Sequence, residues 1–154
     1  MKSDKQMIAH LNKILKNELV AINQYFLHAK MQQDVGLEKL AAKTREESID
    51  EMKHAEILTD RILFLDGLPN FQDLGRLRIG QTVEEMLKAD FELELDAISD
   101  LESAIAYAES IKDFGSRDLL QAILVSEEAH QDFLDKQLKL IKQVGLENYL
   151  QSQI

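Results

Sequence analysis

Glu51 and His54 stand three residues apart in Ser48-Ile49-Asp50-Glu51-Met52-Lys53-His54-Ala55, and Glu127 and His130 repeat that spacing in Glu127-Glu128-Ala129-His130. On a helix such a pair lies on one face, one turn apart, so a carboxylate and an imidazole can reach the same cation. The two copies are offset by 76 residues, and so are two further acids, Glu18 and Glu94. A single inward Glu or His is commonly a satisfied core group, but four acids and two histidines in one repeated register form a cluster. Four facing carboxylates repel unless some stay protonated, whereas two divalent cations neutralise all four. The pattern predicts a dinuclear metal site with Glu18, Glu51, His54, Glu94, Glu127 and His130 as ligands, built by a duplicated helical hairpin.

Tyr25 stands seven residues beyond Glu18 on the same stripe. It can hydrogen-bond a ligating carboxylate, donate an electron, or simply be a core tyrosine. Glu46, Glu47 and Asp50 crowd acids before the first motif, either as a path for cations or, for Glu46, as a solvated charge. Met52 follows Glu51 directly, about 100° around the helix, and so cannot share the dinuclear site.

Composition narrows the chemistry. The chain has no cysteine, which excludes disulfides and thiolate ligands and leaves oxygen and nitrogen donors. Absence of thiols fits the cytoplasm. The start, Met1-Lys2-Ser3-Asp4-Lys5-Gln6, lacks the apolar stretch of a secretion signal, and no apolar run reaches membrane-spanning length, so no membrane partner is expected. A formal charge of −10 argues against nucleic acid as the main partner. With 154 residues, 45% of them hydrophobic, one domain spanning 1–154 with a real core is expected.

The elements that must position these residues are marked by glycine and proline. Gly36, the cluster Gly67, Pro69, Gly75 and Gly80, then Gly115 and Gly145 cut the chain into four helical segments and a short tail. The first helix is predicted from about Asp4 to Gln33, with Ser3-x-x-Gln6 as its capping box, and the second from Leu37 to about Leu65. The third begins at a capping box, Thr82-x-x-Glu85, and the fourth runs from Ser116 to about Val144. Gly-marked turns should make two antiparallel hairpins. The link from Gly67 to Gln81, at roughly 3.3 Å per residue, can reach about 50 Å and cross the bundle lengthwise. No stretch alternates with period two, so no sheet is expected. The fold class is all-α: a ferritin-like four-helix bundle with one long crossover between helices two and three. The tail after Gly145 should form a short C-terminal fifth helix packed in an oligomer contact.

Over essentially its full length the sequence resembles the bacterioferritins. The resemblance rests on Asn17-Glu18-Leu19-Val20-Ala21-Ile22-Asn23-Gln24-Tyr25-Phe26-Leu27-His28, on Glu47 to Ala55, and on Arg61-Ile62-Leu63-Phe64-Leu65 with Gly67-Leu68-Pro69. It implies iron storage and detoxification: a ferroxidase that oxidises Fe(II) at an intrasubunit di-iron centre, with oxygen or peroxide, inside a homo-oligomeric shell of 24 subunits built from two-fold dimers. It also implies haem b, with Met52 as axial ligand from each of two subunits and Leu19, Ile22, Asn23, Phe26, Ile49 and Lys53 lining the pocket. A bacterioferritin-associated ferredoxin that assists reductive iron release is a further implied partner, with Leu68, Pro69, Leu77 and Glu85 as its footprint. Asn148 and Gln151 are candidates for a four-fold pore, and Asp34, Asp66 and Asp132 for an acidic route. Glu46 stands where some members carry a histidine, which leaves an inner-surface iron site there unsupported. Other readings are a non-storage di-iron oxidase or peroxidase, which needs a substrate cavity; a DNA-protecting mini-ferritin, which builds its site between subunits; and a structural bundle with solvated acids.

Overall fold

A computed structural model describes residues 4–154, and among them every regular element is helical: α1 (Lys5–Asp34), α2 (Glu38–Phe64), α3 (Val83–Ser110), α4 (Phe114–Val144) and α5 (Leu146–Gln151). At about 1.5 Å per residue the four long helices each extend roughly 40–45 Å. Each buries a stripe at steps of three and four, such as Leu11, Ile14, Leu15, Glu18, Ala21 and Tyr25 on α1.

The caps are local chemistry. Asp4 accepts from the Met7 amide at 2.8 Å to start α1, and the Ser3 half of the expected box lies outside the described residues. Thr82 and Glu85 form the expected capping box on α3. α4 starts two residues earlier than its glycine suggested. Asp113 caps it by accepting from Ser116 N, and the turn before it is closed by Lys112 at φ 61°, so Gly115 sits inside the first helical turn, not between the helices. The α1–α2 turn does use its glycine, Gly36 at φ 88°, a conformation that side chains with a Cβ avoid.

Pairings fix the topology. Tyr107 donates to Asp4, Asn17 to Asp100 and Gln24 to Asp90, so α3 runs antiparallel to α1. Arg61 reaches Asp113 and Ser116 while Asp50 reaches His130, so α4 runs antiparallel to α2. α2 and α3 therefore point the same way, and the crossover must travel the bundle's length.

The core has two large apolar clusters, besides a small third one of Val20, Ala21, Tyr25 and Leu93. One apolar cluster holds Met7, Leu11, Ile14, Leu58, Ile62, Leu101 and Leu120; the other holds Leu37, Leu40, Leu87, Leu134, Ile141 and Tyr149. Between them, on all four helices, lies a layer of buried acids and histidines. The tail docks on its own bundle: Tyr149 is buried in the second cluster and donates to Gln137 at 2.8 Å, and Lys39 N reaches Gln153 O. Only the outward residues of the tail, Leu146 and Ile154 among them, are left for a contact with another chain.

Candidate metal centre

The six residues chosen by spacing converge. α1 brings Glu18, α2 brings Glu51 and His54, α3 brings Glu94, and α4 brings Glu127 and His130, all buried. His54 Nδ1 lies 3.4 Å from Glu18 Oε2, 3.3 Å from Glu51 Oε1 and 3.5 Å from Glu127 Oε1. His130 Nδ1 lies 3.4 Å from Glu51 Oε1, 3.8 Å from Glu94 Oε1 and 3.4 Å from Glu127 Oε1. Two ligand sets follow, Glu18, Glu51, His54 and Glu127 in one, and Glu51, Glu94, Glu127 and His130 in the other, each with donor atoms within 4.8 Å of one another. Glu51 and Glu127 belong to both and are placed to bridge. Each set takes one imidazole.

Both carboxylate oxygens of Glu18, Glu51 and Glu127, one of Glu94, and Nδ1 of both histidines are buried without a hydrogen-bond partner. Such a concentration of orphaned acceptors is far too costly for a core serving stability alone. The donor set of four carboxylates and two imidazoles fits a pair of divalent first-row ions.

Without cations the electrostatics are severe. Burial, then Glu18, Glu127 and Glu94, hold the Glu51 carboxyl well above its ordinary range. Burial and Glu127 push Glu94 up to about 8. Burial would lower His130, but its hydrogen-bonding approach to Glu127 and Glu94 prevails and raises it to about 11. Burial also opposes protonation of His54, which Glu18 and Glu127 nevertheless push upward. Protons and cations therefore compete for the same carboxylates.

The surrounding shell is partly what the spacing suggested. The Tyr25 hydroxyl donates a short hydrogen bond to Glu94 Oε1, and its ring meets His130 edge-on at 6.3 Å. Burial and Glu94 raise the phenol's pKa, so it stays protonated and donates. Glu46 is exposed, whereas Glu47 is buried with Oε1 unpartnered; burial pushes it up to about 8 against the pull of His130. Asp50 Oδ2 lies 3.2 Å from His130 Nε2, a carboxylate placed to orient that ring. Spacing alone missed this last role, although Asp50 sits one position before Glu51.

Residues 8–144 match a family profile described as a ferritin-like domain. A bacterioferritin of Streptomyces coelicolor is 52% identical over 154 residues, covering 100% of this chain and 92% of that one. The chain belongs to the bacterioferritins. The Mycobacterium tuberculosis bacterioferritin is 50% identical over 149 residues, 97% of this chain and 94% of that one. A bacterial ferritin of Synechocystis is 46% identical over 155 residues, 100% and 99%.

In this bacterioferritin chain Met52 is 56% exposed, outside the buried layer, and Ile49 and Phe26 are exposed at 43% and 48%. Leu19 and Ile22 are partly buried against the first core cluster, while Asn23 and Lys53 are exposed. Leu68 is 81% exposed, Leu77 packs on Val20, Tyr25 and Leu93, and the Glu85 carboxylate is engaged by the Gln81 and Thr82 amides. Asp34 ends α1 and Asp66 follows α2, so one protomer holds them at opposite ends of the bundle. Asp132 is exposed and paired with Lys136. Asn148 and Gln151 are both exposed on α5. No helix among the described residues is long and apolar enough to cross a membrane.

Proposed function

We propose that this chain stores and detoxifies iron, taking two Fe(II) ions as substrate at the six-residue layer and oxidising them there. The observation that carries this reading is the ring of orphaned carboxylate oxygens around two unpaired imidazole nitrogens, sealed between two apolar clusters. The sharing of Glu51 and Glu127 between both ligand sets supports a pair of ions acting together. Each ion gives up one electron. An oxidant takes the two electrons with two protons: dioxygen becomes hydrogen peroxide, or hydrogen peroxide becomes two waters. Fixed carboxylates favour the ferric product, whose extra charge they stabilise more strongly than the ferrous substrate. Tyr25 holds one oxygen of Glu94, and Asp50 holds the outer nitrogen of His130, so neither ligand has to be reoriented when iron arrives. Ferric iron then collects as mineral inside a 24-subunit shell built from two-fold dimers.

Met52 fits a haem iron: its thioether side chain is 56% exposed on α2, with Ile49 one helical turn before it also exposed. Two such methionines, one from each of two subunits, would hold haem b axially. When bound, that haem supplies a one-electron carrier for reductive release, with a bacterioferritin-associated ferredoxin docking over Leu68 and Pro69. Aerobic Fe(II) titration of the purified protein, with particle mass and absorption spectrum recorded together, tests the whole. Oxygen uptake in proportion to iron and a mass of about twenty-four chains are expected; a monomer that consumes no oxygen would sink both.

A further inference from the structure

The crossover's backbone is held by three side chains of α1. Asn12 donates to Leu68 O at 3.2 Å and accepts from Asn70 N at 2.8 Å. Gln24 Oε1 accepts from Arg78 N at 2.9 Å, and His28 Nε2 accepts from Gly80 N at 3.1 Å. Gln24 and His28 are wholly buried, and both also bind Asp90 of α3, at 2.8 and 2.9 Å to the same oxygen. One buried knot thus joins α1, the end of the crossover and α3.

The bonding fixes the protonation of the ring. Nε2 accepts from a backbone N–H, so it must carry a lone pair, and Nδ1 must carry the hydrogen that Asp90 accepts. A second proton on Nε2 would set N–H against N–H at 3.1 Å and expel the Gly80 amide. Neither Asn12 nor Gln24 can take up a proton; among the three α1 anchors only the imidazole can. We propose that His28, Asp90 and Gln24 form a proton-operated clasp, and that protonation of His28 releases the Gly80 end of the crossover.

The groups facing the ring set the balance. Asp90 faces it from α3 and favours a positive ring; the Gly80 amide faces it from the crossover and opposes one. Gln24 joins from α1 as a neutral donor to Asp90, and Arg78 turns its own side chain away to Asp96. Beyond Asp90 stand Glu47 of α2 and the Tyr25 phenol, both of which its charge pushes upward. Burial raises Asp90 while His28 and Gln24 hold it down. A protonated ring therefore keeps Asp90 and gives up Gly80. Gly80 itself packs directly on the first turn of α3, where a Cβ would meet Met86 N at 2.3 Å. Opening is confined to the crossover end and the first turn of α3.

Hydrogen–deuterium exchange of the assembled, full-length protein tests this without iron. After correction for intrinsic exchange, the Arg78–Gly80 amides should exchange roughly tenfold faster once the His28 ring is protonated than while it is neutral, with the α2 amides unchanged. His28→Gln keeps an acceptor for Gly80 but cannot titrate, so its protection should not depend on pH. Deuterium exchange at the His28 ring carbon of the unaltered protein gives the ring's own midpoint, which should coincide with the loss of Gly80 protection. Protection of Gly80 that persists below that midpoint, or an equal acid response in His28→Gln, overturns the proposal. Neither result bears on oxidation at the metal layer.

Discussion

A carboxylate shared by two ions and a carboxylate serving one should fail differently. Glu127 stands in both ligand sets, whereas Glu94 and Glu18 each stand in one. Glu127→Gln is expected to weaken both sites and Glu94→Gln to spare the Glu18–His54 side. Zn(II) calorimetry should then show one ion retained in Glu94→Gln and roughly tenfold or greater weakening of both in Glu127→Gln. Fe(II) oxidation should slow sharply in both variants with assembly intact, and normal rates in both would remove the site. Protons compete with these ions. Glu47 and Glu94 hold a proton up to about 8 in the folded chain against an ordinary 4.5, and His130 up to about 11 against 6.5. The carboxyl contribution to stability is full below 4.5 and lost as pH climbs through 8; the imidazole contribution is full below 6.5 and lost progressively as pH climbs to about 11. Metal-free protein should therefore melt at lower temperature at about pH 8.5 than at about pH 5.5, and saturating Zn(II) should stabilise it more at the higher pH. Calorimetric scans at both pH values, with and without Zn(II), check the sign.

At the scale of the helices, the metal layer depends on registers set near the ends. Asp113 caps α4 through Ser116 and also receives Arg61 from α2 at 2.8 Å, so it fixes how the two Glu-x-x-His helices slide past each other. Asp113→Ala removes the cap and leaves Arg61 short of its partner, at a cost of about 2 kcal/mol. Thermal unfolding should show a lower midpoint, and Zn(II) binding should weaken although no ligand has changed. Unaltered metal affinity would mean that the core, not this end, holds the register. The α3 cap was legible: Thr82-x-x-Glu85 announces its own chemistry. The start of α4 was not, because Gly115 reads as a turn marker while the structure closes the turn with Lys112 in the left-handed region.

At the scale of the molecule, the exposed apolar side chains are the main unspent surface. Phe26 on α1 and Ile49 and Met52 on α2 are all exposed, at 48%, 43% and 56%. Met52→Leu should keep the apolar face and the dinuclear layer but lose haem, seen as loss of the haem absorption band with Zn(II) stoichiometry unchanged. A variant that retains haem with the same axial ligation would reject Met52 as its ligand.

The amino-acid order determined by itself what depends on spacing along one helix: the four helices, the crossover, and six ligand-type residues repeated at one offset, since a face is a property of periodicity. Which of those atoms share a cation, that Tyr25 meets Glu94, that Asp50 meets His130, and that His28 and Gln24 close on Asp90 were decided by tertiary structure alone. Those contacts join residues from 62 to 80 positions apart, and local periodicity carries no distance between helices. The tail shows the same limit: its helix was legible, but that Tyr149 docks on its own bundle required the packed core to exist first.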